Sequence, residues 1–88
     1  MTPARVTLHT AFPSALADPS LAALVRACVE ETAEIHGVSV PTLALFDDRI
    51  ELDGEMPMPI LLAIAAEVRR STGRWHVAKY GTALWRGA

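Results

Sequence analysis

The residues of this 88-residue chain that could do chemistry are three histidines, one cysteine, four serines and a group of late arginines. His9, His36 and His76 stand far apart, with no cysteine or carboxylate at metal-ligand spacing, so no metal site is expected. No glycine-rich loop leads from a strand into a helix, which leaves out a phosphate cradle and the cofactors that use one. Ser14, Ser20, Ser39 and Ser71 fall in loops or at helix ends, where a hydroxyl ordinarily serves the backbone. Cys28 sits on an apolar helical stripe and reads as a packing residue rather than a nucleophile. As the lone cysteine it excludes an internal disulfide and a cysteine-based zinc cage, and it suits a reducing cytoplasm. A histidine can act as a base near neutral pH, but no nucleophile or orienting carboxylate is fixed around one. No catalytic residue is assigned, and the chain is not expected to be an enzyme.

Charge is distributed unevenly behind a net value of −2. All ten acidic residues lie at or before Glu67, whereas Arg69, Arg70, Arg74, Lys79 and Arg86 follow it without an acid. Such a split implies either an anionic partner or two parts of one molecule attracting each other. The expectation is the second: Arg69 and Arg70 neutralising Glu30, Glu31 and Glu34 across a helix pair.

The elements that must position these residues are organised around Leu43 to Asp53, LALFDDRIELD. Asp47-Asp48 suits a two-residue turn, and closing it opposes Phe46 to Arg49, Leu45 to Ile50, Ala44 to Glu51 and Leu43 to Leu52. Alternation then puts Leu43, Leu45, Ile50 and Leu52 on one face. Before the hairpin, Arg5 to His9 reads as a strand. Asp18-Pro19 starts a helix that carries Leu21, Leu24, Val25, Cys28, Thr32 and Ile35 and stops at Gly37. After it, Met56 and Met58 are expected to be extended because each precedes a proline. A second helix from Pro59 buries Ile60, Leu61, Ile64 and Val68 and ends near Gly73. Trp75 to Tyr80 reads as a last strand.

The order β-α-β-β-α-β predicts one α+β domain over residues 1–88. The expected fold is a ferredoxin-like sandwich, two helices on one face of a four-stranded antiparallel sheet in the order 4-1-3-2. The runner-up is a rearranged α+β sheet whose tail exchanges between subunits. On the sheet's open face this arrangement gathers Arg5, His9, Phe46, Arg49, His76 and Tyr80, the candidate binding residues, and sets His9 opposite His76. Leu84 and Trp85, large apolar residues near the terminus, are expected to meet another subunit or to extend the last strand.

Leu52 to Val68, LDGEMPMPILLAIAAEV, resembles the strand-to-helix signature of the small sulfur-carrier proteins of the TusA/SirA family, which read Cys-Pro-x-Pro. Pro57 and Pro59 match the proline pair, and Met56 stands where the family has its cysteine. Without that nucleophile the resemblance implies no sulfur transfer here.

The longest apolar run, Pro59 to Ala66, is far short of a membrane span, and no secretion signal is read at the start. The expectation is therefore a small cytoplasmic module that associates with itself or with another protein, needs no cofactor and meets no membrane. The alternative is an RNA- or anion-binding domain using the open sheet face and the basic C-terminal third.

Overall fold

The computed structural model describes residues 3–87. Alternation, proline and glycine set most of the local structure. The elements are β1 (Ala4–His9), α1 (Pro19–Ile35), β2 (Thr42–Leu45), β3 (Arg49–Gly54) and α2 (Met58–Tyr80), with one 3-10 turn at Ala15–Ala17. The hairpin closes as its residues dictate. Leu43 faces Leu52, Ala44 faces Glu51 and Leu45 faces Ile50, and the Phe46 amide donates to the Arg49 carbonyl at 2.9 Å. β1 pairs with the other edge of β3, setting Val6 beside Leu52 and Leu8 beside Ile50. One sheet face is thus apolar from edge to edge; α2 packs on it, and α1 packs on α2 and adds Leu21, Val25 and Val29 to the same core.

α1 begins where Asp18 caps it, its carboxylate accepting from the Ser20 amide at 2.9 Å, and the chain turns out of it at Gly37, φ 69°. Leu21, Val25, Val29, Thr32 and Ala33 are buried; Leu24 and Cys28 are only half-buried, and Ile35 is exposed. At the start of α2, Pro57 takes the extended cap geometry. Met58, expected to be extended, is instead the first helical residue.

The four-stranded ferredoxin-like sheet is not formed. The sheet has three strands in the order β1-β3-β2, and residues Trp75 to Tyr80, read as a last strand, are the final turns of α2. The helix runs straight through Gly73. Buried Leu61, Ile64, Ala65, Val68, Thr72 and His76 keep three- and four-residue spacing across it, so one apolar stripe spans 23 residues. A mid-helix glycine costs only about 1 kcal/mol, less than burying the next turn returns. The true stop is Gly81, left-handed at φ 76°, whose amide donates to the Val77 carbonyl at 2.8 Å.

Beyond Gly81 the tail returns to the end of β1. The Ala11 amide donates to Leu84 O at 2.7 Å, the Arg86 amide to His9 O at 2.8 Å, and Thr10 and Trp85 form a single antiparallel bridge. Leu84 and Trp85 are buried by their own chain, at 0% and 5% exposure. No helix among the described residues is long and apolar enough to cross a membrane.

Candidate functional site

The open sheet face holds four of the six candidate binding residues, and it satisfies the two arginines among them internally. Arg5 pairs with Asp53 across the strands at 2.5 Å. Arg49 bonds Asp48 at 2.9 Å and Glu51 at 3.3 Å, and its guanidinium lies 4.0 Å from the centre of the Phe46 ring. Both guanidinium groups are held above their ordinary pKa, Arg5 chiefly by its hydrogen bond to Asp53 and Arg49 by that to Glu51. His9 is exposed opposite Arg49, not opposite His76. The expected histidine pair does not exist, because His76 belongs to a helix.

His76 and Tyr80 stand at the opposite surface of the fold, in a cleft of about 370 Å³. Helix direction explains the company they keep. β1 and β2 run parallel, with β3 reversed between them, so α1 and α2 run antiparallel and the start of α1 lies beside the end of α2. Asp18 and Leu21 therefore meet His76 and Tyr80, with Phe12 and Ser14 from the loop after β1 and Thr82 from the tail. His76 is 3% exposed and its Nδ1 lies 2.7 Å from the Thr82 carbonyl. Its ring centre is 4.8 Å from that of Tyr80 and 5.8 Å from that of Phe12. No hydrogen bond joins Ser14 to His76 among the described residues, so the cleft presents a held acceptor rather than an activated nucleophile. Sequence reading gave Asp18 only a capping role and Phe12 none. The signal it passed over was the four-residue spacing Val68, Thr72, His76, which puts the histidine on a helix.

The same antiparallel packing overturns the expected charge pairing. The C-terminal half of α1 lies beside the N-terminal half of α2, away from Arg69 and Arg70. Among the described residues Glu30, Glu31 and Glu34 make no ion pair. Arg70 pairs instead with Glu67 on its own helix and holds that carboxyl below its ordinary pKa. Arg69 donates to the backbone carbonyls of Arg86 and Gly87. Arg69, Arg70 and Arg74 border a groove of about 310 Å³ floored by Gly73, Leu84 and Trp85. No cluster of three potential metal ligands occurs among the described residues.

No protein-family model, curated protein or solved structure matches the chain.

Proposed function

We propose that the chain is a cytoplasmic, non-enzymatic binding module that associates with a second copy of itself through its helix layer. The two layers lie antiparallel, so the acidic end of one meets the basic end of the other. The observation that carries this reading is the separation of charge, cancelled only in part by the pair of Arg70 with Glu67. Glu30, Glu31 and Glu34 crowd the end of the layer where α1 stops, and Arg69, Arg70, Arg74 and Lys79 crowd the half where α2 ends. A two-fold axis lying in the plane of the contact, perpendicular to the helices, makes such a surface self-complementary, and closed two-fold dimers are the commonest assemblies. Exposed apolar side chains support the helix layer over the sheet: Ile35, Leu62 and Val77 lie on helices at 76%, 51% and 50% exposure. On the sheet face Phe46 is 40% exposed and carries the Arg49 guanidinium over its ring. At 1.5 Å per residue α2 is about 34 Å long, enough helix to cover a standard interface.

Light scattering over a concentration series tests this, with charge swaps as the probe. Arg70→Glu with Arg74→Glu should leave a monomer, as should Glu30→Lys with Glu34→Lys, and mixing the two variants should restore the dimer mass. Wild type that stays monomeric throughout, or dimers indifferent to both swaps, would sink the proposal.

The arginine-bordered groove supports a second reading, the anion site. A labelled single-stranded oligonucleotide distinguishes it: phosphate contacts there would make binding fall steeply with salt and would be lost in the arginine double variant.

A further inference from the structure

The cleft around His76 is lined by none of the residues whose charges are swapped to test self-association, Glu30, Glu34, Arg70 and Arg74. A carbonyl oxygen can only accept, so the 2.7 Å contact with Thr82 O puts a proton on His76 Nδ1. In the neutral ring Nε2 is then a bare acceptor. It has no partner among the described residues, and it is not sealed from water, since no buried polar side-chain atom is left unpartnered there. The ring carrying it is otherwise almost wholly buried, so this nitrogen is what His76 shows to the cleft.

The second polar group is the Asp18 carboxylate. Oδ1 is committed to the Ser20 amide, and Oδ2 has no partner among the described residues. Phe12 and Tyr80, at 40% and 50% exposure, flank the imidazole with their rings. A lone-pair nitrogen, a carboxylate and two aromatic faces are matched by a ligand with N–H donors, positive charge and an apolar body. An anion would meet Asp18 unpaired, and a neutral ligand would leave its charge unanswered.

We propose that this cleft binds a small primary ammonium compound with an aromatic or aliphatic body. The ammonium donates to His76 Nε2 and Asp18 Oδ2, and the body lies against Phe12 and Tyr80. Lys79 Nζ, already 5.5 Å from the centre of the Tyr80 ring, disfavours a ligand with a second positive charge. The volume of about 370 Å³ suits a ligand near the small end of the range for such sites.

The test uses the whole chain and three probes of one shape: benzylammonium, benzyl alcohol and phenylacetate, followed by calorimetry and amide NMR. Benzylammonium should bind at least about tenfold more tightly than either other probe, a difference of about 1.4 kcal/mol, and should shift the amides of Phe12, Asp18, His76 and Tyr80. Asp18→Asn keeps a good helix cap, so its melting temperature should hold while benzylammonium affinity falls about tenfold and that for benzyl alcohol does not. Long-range nitrogen spectra of His76 should report the Nδ1–H tautomer in the free protein. Equal binding of the three probes, preference for phenylacetate, an Asp18→Asn variant that binds benzylammonium unchanged, or shifts confined to other surfaces would each overturn the proposal. Should the variant fail to fold, the ranking of the three probes on the unaltered chain still decides.

Discussion

Trp85 Nε1 donates to the Thr72 hydroxyl at 2.9 Å, and that hydroxyl donates in turn to the Val68 carbonyl at 2.6 Å. The tail is thereby tied to the middle of the longest helix by a buried chain in which every polar atom has a partner. Thr72→Val keeps the shape but strands the indole N–H, which should cost about 1–3 kcal/mol in urea unfolding. Trp85→Ala removes the ring as well and should cost about 3–5 kcal/mol. A Trp85 change that alters subunit mass and leaves the stability of the chain untouched would return the tail to an intermolecular role.

Gly73 and Gly81 should answer the same substitution with opposite signs. A Cβ on Gly73 would meet Trp85 Cδ1 at 3.6 Å, an ordinary contact, so Gly73→Ala should stabilise by up to about 1 kcal/mol through helix propensity. Gly81 holds φ 76°, where a Cβ crowds the backbone, so Gly81→Ala should destabilise by about 1–2 kcal/mol. Thermal melts of the two variants compare them directly. A loss at Gly73 would show that the tail packs more tightly on α2 than the 3.6 Å approach implies.

Core truncations should separate the two helices. Ile64 is fully buried and Ile64→Ala should cost about 2–5 kcal/mol. Leu24, half-buried on α1, packs against the core only from its margin, so Leu24→Ala should fall below the Ile64 value. Equal costs at both positions in chemical denaturation would contradict this placing.

Cys28 should be a slow nucleophile. Burial pushes its thiol pKa up, partly opposed by its contact with Thr32 Oγ1 at 3.9 Å. A raised thiol pKa means that the folded chain resists forming the thiolate. Its contribution to stability is present below the unfolded-state pKa and is lost as pH rises beyond it, because the unfolded chain ionises first. Iodoacetamide should therefore modify Cys28 more slowly in the folded chain than in urea at the same alkaline pH, and stability should decline above about pH 8.5 relative to Cys28→Ala. Equal alkylation rates in the two states would refute the assignment.

The sheet was legible residue by residue. Asp47-Asp48 sets a turn, alternation sets the face, and a one-residue slip would turn Ile50 and Leu52 to water, so local chemistry determines the register of Leu43 to Asp53. Asp18-Pro19 marks the start of α1 for the same reason: capping acts within a few residues. What local chemistry could not decide is the state of Trp75 to Tyr80, where an aromatic and a β-branched residue after a glycine favour a strand. The outcome was set by an apolar stripe that needs β1, β3 and the returning tail to be buried at all. The unpaired charges of Glu30, Glu31 and Glu34 follow from helix direction, which strand pairing fixes. The His76 cleft draws Phe12, Asp18, Tyr80 and Thr82 from segments far apart in the chain, and only the antiparallel packing of α1 on α2 brings their side chains together.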